Sequence, residues 1–226
     1  TLDRMLEGRL TINIISSDLP GAPLPSEPRY QRTRECMQLL RKLLDGESVA
    51  QRGEFYSVEL EPPGVRTWSG RSPLFYFGGL SEAARETAAQ AADVFLMWPE
   101  RIGDVAKLLD DMRERATRHG RKRRFGYRVH VSVRAREAQA REAARDLVAH
   151  LDPGRGREIR ERSLDHASEG VRRQAELRRD SDDEGFVEDQ LWTGVGRARS
   201  GCGAAIVGDP DQVVRKLRDY AELGIE

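Results

Sequence analysis

The stretch Leu74-Phe75-Tyr76-Phe77-Gly78-Gly79-Leu80-Ser81 passes from four apolar residues into a glycine turn and then into the alanine-rich run Glu82–Ala91. It predicts a short buried strand, a tight connection and a helix. The same rhythm continues downstream. Val94–Met97 is another short apolar strand, and Ile102, Val105, Leu108, Leu109 and Met112 mark a helix ending near Gly120. Phe125–Arg134 reads as one strand and Glu137–Leu151 as the next helix. Strand and helix alternating with short connections are the signature of βαβ units and a parallel sheet.

Upstream, Leu10–Ile15 is a strand candidate followed by a proline- and glycine-rich loop, 20–28. A helix is expected from Arg29 to Leu44, with Cys36, Met37, Leu40, Leu43 and Leu44 on its apolar face and Gly46 as its stop. Residues 48–60 read as a small hairpin around Gly53, with Phe55, Tyr56, Val58 and Leu60 as apolar members. Downstream of Asp152 the rhythm breaks. Residues 153–203 are charged and glycine-rich with a helical stretch around 158–178, and so long a segment reads as a functional loop or lid. Order returns at Ala204–Val207. Asp209 then caps a helix with Pro210 in its first position and Val213, Val214, Leu217 and Tyr220 on one face.

Composition narrows the function classes. Lys+Arg and Asp+Glu are equal at 38 each among 226 residues, which gives no bulk attraction to nucleic acid or an anionic membrane. The two cysteines, Cys36 and Cys202, form no CxxC pair, which argues against a disulfide scaffold or zinc site and suits the cytoplasm. No apolar run reaches the roughly 18–20 residues needed to span a bilayer. The basic run Arg118–Arg124 lacks interleaved aromatics for base stacking and follows a helix end, where cations suit the dipole. Thr1 and Glu226 both read as cuts through a domain, so an incomplete domain is expected.

Four places carry candidate chemistry. In Phe125–Val133, alternation puts Phe125, Tyr127, Val129, Val131 and Val133 on a face expected to pack under helices. Gly126, Arg128, His130 and Ser132 take the other face, which is wetted in an open sheet and points inward in a closed barrel. Gly78-Gly79-Leu80-Ser81 joins a strand to a helix start, where glycines, a hydroxyl and free N–H groups suit an anion; a plain turn with Ser81 as N-cap explains it equally. Ser16 and Tyr30 fall on the expected carboxyl side of the sheet, with ordinary readings as a turn residue and a half-buried anchor. Cys36 reads as core.

Several segments in order resemble the alkanesulfonate monooxygenases of the luciferase-like flavin-dependent family. They are Thr1-Leu2-Asp3-Arg4, Gly8-Arg9-Leu10, Asn13-Ile14-Ile15-Ser16, Arg29-Tyr30 and Tyr76-Phe77-Gly78-Gly79. Ser81-Glu82-Ala83-Ala84, Arg128-Val129-His130-Val131, Trp192-Thr193-Gly194-Val195-Gly196 and Val207-Gly208-Asp209-Pro210 follow. The resemblance implies an incomplete TIM (β/α)8 barrel, about the fourth to seventh strands with their helices, in which 153–203 is a mobile insertion. It places Ser16, Tyr30, Gly79 and Ser81 at the flavin, Arg128 and His130 at the active site, and Arg199 on the loop that closes over substrate. Three departures stand out: Ser26 replaces a frequent His, Ser16-Ser17-Asp18 replaces Thr-Gly-Gly, and Leu80 replaces a Ser.

The implied chemistry is oxygenation by reduced FMN (FMNH2) and O2 through a peroxyflavin, cleaving an alkanesulfonate to aldehyde and sulfite. A separate NAD(P)H-dependent flavin reductase is the implied partner, and a homo-oligomer the implied assembly. Other readings stay open at this point. They are a luciferase-like oxidoreductase acting on a sulfone, amine or hydrocarbon, or using a deazaflavin; a non-catalytic flavin-binding relative; and an inert fragment.

Overall fold

A computed structural model describes residues 1–17, 24–162, 168–197 and 203–226. The chain forms two compact units, residues 1–95 with 112–124, and residues 96–111 with 125–226. In chain order the elements are α1 (Leu2–Met5), β1 (Thr11–Ile14), α2 (Ser26–Asp45), β2 (Val49–Arg52), β3 (Ser57–Leu60), β4 (Leu74–Phe77), α3 (Glu82–Ala91), β5 (Val94–Met97) and α4 (Ile102–Arg118). There follow β6 (Arg124–Tyr127), β7 (His130–Val133), α5 (Glu137–Ala149), α6 (Pro153–Glu161), α7 (Glu169–Arg179), β8 (Phe186–Glu188), β9 (Leu191–Trp192), β10 (Ala205–Gly208) and α8 (Pro210–Glu222).

In the first unit β1 and β4 pair in parallel, Thr11 opposite Leu74 through Ile14 opposite Phe77. β4 pairs in parallel with β5, Tyr76 opposite Val94 and Phe77 opposite Phe95. Phe75, Phe77 and Phe95 are fully buried, and so are Ala84, Ala88 and Ala89 of α3. The small side chains of α3 let α2 pack closely against it. α2 starts earlier than the apolar pattern placed it and ends where expected. Gly46 adopts φ 84°, donating to the Leu43 carbonyl while Glu47 donates to Lys42. That is a Schellman close, for which glycine is suited.

The apolar face expected on α2 is corrected. Tyr30, Thr33, Met37 and Leu39 are its buried residues, whereas Cys36 is half-buried and Leu40 is exposed. Glu35 is also buried, because its carboxylate terminates the β2–β3 hairpin. It accepts from the Phe55 N–H (3.0 Å), the Tyr56 N–H (3.2 Å) and the Gln51 amide (3.0 Å). Glu35→Ala strands these donors, and a loss of about 2 kcal/mol is expected. Urea unfolding checks it, and an unchanged midpoint would show that water replaces the carboxylate.

The basic run has a structural task. Arg121 donates to the Gln90 and Ala92 carbonyls and Arg123 to those of Ala88 and Ala89, so both close the carboxyl end of α3. Burial lowers the Arg123 guanidinium to about 10, and it remains a cation at neutral pH.

The expected single strand at 125–134 is two strands. Within the first unit Arg124 donates to the Asp93 carbonyl (3.2 Å), and within the second Arg128 donates to Met97 (2.9 Å), which lays β6 along β5. After Arg128-Val129 the backbone changes partner, and β7 pairs in parallel with β10, His130 opposite Ala205 and Val133 opposite Gly208. The face expected to pack under helices holds at Phe125, 5% exposed, and is corrected at Val131 and Val133, which are 47% and 38% exposed.

The second unit's sheet runs β7-β10-β9-β8, its last two pairings antiparallel. The long segment after Asp152 is therefore not devoid of order in its described part. Two helices replace the one expected, and Phe186 and Trp192 share a core with Ala140, Ala144, Ala205 and Val207. Asp209 caps α8 as expected, accepting from the Gln212 N–H (2.9 Å) while the Gln212 side chain accepts from the Asp209 N–H (3.0 Å). Among the described residues no helix is long and apolar enough to cross a membrane.

Candidate active site

In the first unit three of the sequence-predicted cofactor residues, Ser16, Tyr30 and Gly79, come together around the start of α2. Ser16 follows β1, and its hydroxyl lies 2.9 Å from that of Thr33, which also donates to the Arg29 carbonyl (3.0 Å). Tyr30 is buried to 9% exposure, with its ring edge-on to Phe77 (centroids 6.1 Å, 89°) and its carbonyl accepting from the Thr87 hydroxyl (3.3 Å). The phenol is thereby held over the loop after β4. A Cβ built on Gly79 lies 2.6 Å from Ala84 Cβ and 3.5 Å from the Tyr30 hydroxyl oxygen. Only a glycine fits at that closeness, so this residue lets the turn after β4 pack directly on Ala84 of α3. The Arg29 guanidinium lies 5.1 Å from the Tyr30 ring centroid.

Ser81 is the N-cap of α3, its hydroxyl oxygen accepting from the Ala84 N–H at 3.3 Å. The plain capping reading thus holds, and it leaves the hydroxyl hydrogen and the first N–H groups of the helix facing the same end. Hydroxyls, N–H donors and a guanidinium are the donor set a phosphate monoester requires. The residues present therefore fit the phosphate of FMN.

In the second unit Arg128 is the residue just past β6, its N–H fixed to the end of β5 through the Met97 carbonyl, and its side chain is exposed. His130 opens β7 and is exposed too. Arg128 stands where the chain leaves the carboxyl end of β6, the functional end of a parallel α/β array, whereas His130 stands at the amino end of β7, opposite the first residue of β10. Arg199 lies outside the described residues. Sequence reasoning passed over Trp98, the first residue after β5, which is half-buried with Gly170 beside it; a Cβ at Gly170 would come within 3.3 Å of the Trp98 ring. It also passed over Glu100, 8% exposed, whose side-chain partner Arg173 sits far along the chain and leaves no local signal.

Comparison with solved structures gives the class. DmoA from Hyphomicrobium sulfonivorans matches with a TM-score of 0.72 at 19% identity, over 99% of this chain and 58% of that one. The fold is the parallel α/β fold of luciferase-like proteins, an incomplete TIM-type barrel. The model of the luciferase-like monooxygenase family matches residues 1–226, and the chain belongs to that family. It is 56% identical to a sulfoquinovose monooxygenase of Novosphingobium aromaticivorans and 46% identical to one of Agrobacterium fabrum, in both cases over 100% of this chain. The chain spans 64% and 59% of the length of those two curated relatives.

Proposed function

We propose that the protein is a two-component, FMNH2-dependent monooxygenase that cleaves the C–S bond of a sulfonate, with a sulfonated sugar such as sulfoquinovose as its preferred substrate. The observation that carries this reading is the identity of 56% and 46%, along the whole chain, to two sulfoquinovose monooxygenases. That likeness favours a sugar sulfonate over the simple alkanesulfonates suggested by the motifs alone.

Reduced FMN, when bound, supplies the electrons for oxygen activation, and the protein supplies binding, orientation and charge. The balance is R–CH2–SO3− + FMNH2 + O2 giving R–CHO + HSO3− + FMN + H2O. Tyr30, the Gly79 backbone and Ser81 hold the phosphate, and Ser16 lines the same side at the end of β1. Arg128 binds the anionic sulfonate by charge-assisted hydrogen bonds. His130 carries a proton on its imidazole as the C–S bond breaks and sulfite leaves. Arg199 assists closure over the substrate. Reduced FMN comes from a separate NAD(P)H-dependent flavin reductase.

The test is sulfite release by the active protein with reduced FMN and O2, comparing sulfoquinovose with a short alkanesulfonate. The expected result is sulfite from both and a higher kcat/KM on the sugar. No sulfite from any sulfonate would remove the reading, and a preference for the alkanesulfonate would remove its sugar specificity.

A further inference from the structure

The loop after β5 is held by helix α7 through one face. Gly170, Arg173, Gln174 and Leu177 recur at helical spacing, and each faces this region or the core beneath it. Glu100, in the loop, is the hub. Its carboxylate accepts from Arg173 Nε (2.5 Å) and Nη2 (3.0 Å) and from the Arg101 N–H (3.0 Å). Arg173 Nη2 also donates to Asp104 at 2.8 Å. The Gln174 amide donates to the Pro99 carbonyl (3.0 Å), and Arg101 pairs with Asp180 just past α7 (3.1 Å). From α8 the Tyr220 hydroxyl donates to the Glu100 carbonyl at 2.7 Å. Trp98, two residues before Glu100, has the first turn of α7 against its ring at Gly170.

Ion pairs of this kind add little net stability. A guanidinium fork bridging two carboxylates does fix one arrangement, because its planar donors allow few alternatives. Here that arrangement belongs to the first loop residues past a parallel strand, the place where such folds receive substrate.

We infer that Arg173 is a positioning residue: through Glu100 and Asp104 it fixes the loop carrying Trp98 at the carboxyl end of β5, and so sets affinity for the sulfonate without touching it. The inference rests on the function proposed above and adds a residue that its motifs do not include. Uncoupling should loosen the loop while the chemistry, carried by other residues, continues.

The experiment is Arg173→Ala in the active protein, read by kinetics and by hydrogen exchange at residues 98–104. KM for the sulfonate is expected to rise about tenfold with kcat changed less than about twofold, because uniform binding is lost and not transition-state contact. Exchange at 98–104 should quicken, and millimolar guanidinium should restore both. Unchanged KM overturns the inference, and so does a raised KM that guanidinium leaves in place, which would mark general damage to the fold. If even the unsubstituted protein releases no sulfite, the proposed function fails on its own. Exchange then decides, and unchanged protection at 98–104 overturns the positioning role.

Discussion

Arg128→Ala is expected to lower kcat/KM on the sulfonate about a hundredfold, the size seen when a preorganised charge-assisted contact to a reacting anion is removed. The placement supports this. The Arg128 N–H is bound to the Met97 carbonyl at 2.9 Å, so the backbone beneath the side chain is fixed although the guanidinium itself is exposed. An anchored backbone and an exposed head suit a residue that meets an anion arriving from solvent. Its neighbour in the motif should behave differently. His130→Asn keeps a hydrogen-bonding group but loses the imidazole that can carry a proton, so the pH dependence of kcat should change more than KM. Flavin affinity should change in neither variant. Steady-state sulfite release across pH checks both. An ordinary wetted strand end predicts changes below about 0.5 kcal/mol, and rates within twofold of the parent with an intact pH profile would favour that reading.

Much of the scaffold was legible because local chemistry and tertiary need agree there. The pattern placed α3 at Glu82–Ala91 and β5 at Val94–Met97, and both stand there. Gly46 and Asp209 announced helix ends through cap chemistry that depends on a few adjacent residues. The strand at 125–134 was misread because period-two alternation records extended backbone, not the neighbour it pairs with. The change of partner at Arg128-Val129 keeps the alternation and moves the hydrogen bonds. The segment after Asp152 misled for another reason. Its strands, Phe186–Glu188 and Leu191–Trp192, are too short for any period to show, and α7 turns a charged face to the charged residues Glu100 and Asp104.

The candidate site divides in the same way. Family motifs pointed to Ser16, Tyr30, Gly79 and Ser81, and the structure gathers Ser16, Tyr30 and the Gly79 loop around α2 through Phe77 and through Thr33, a residue no motif marked. Arg173 and Glu100 lie 73 residues apart, and no linear pattern joins them.

Gly194→Ala should be the most damaging single-methyl change in the second unit. In Trp192-Thr193-Gly194-Val195-Gly196 the first glycine leaves room for the Trp192 indole. A Cβ at Gly194 would lie 2.1 Å from Trp192 Cζ2, 2.4 Å from Cε2 and 2.8 Å from Cη2. The ring cannot give way. It is 3% exposed and packs with Phe186, Ala140, Ala144, Ala205 and Val207, and its N–H donates to the Glu184 carbonyl at 3.1 Å. Its backbone is held as well, since Trp192 pairs with Ala205 and the Thr193 N–H donates to Gly185 at 2.8 Å. Moving the indole would break that hydrogen bond and open the core, while moving residue 194 would disturb the turn that follows. Overpacking of this severity costs about 3 kcal/mol, a fall in Tm of roughly 8 °C for a protein of this size. Gly64→Ala is the matched control, because a Cβ there meets nothing within 4 Å. Thermal unfolding of the two variants side by side gives the answer: a large loss for Gly194→Ala against near-parent stability for Gly64→Ala is expected, and equal midpoints would mean that the indole is not held where the packing places it.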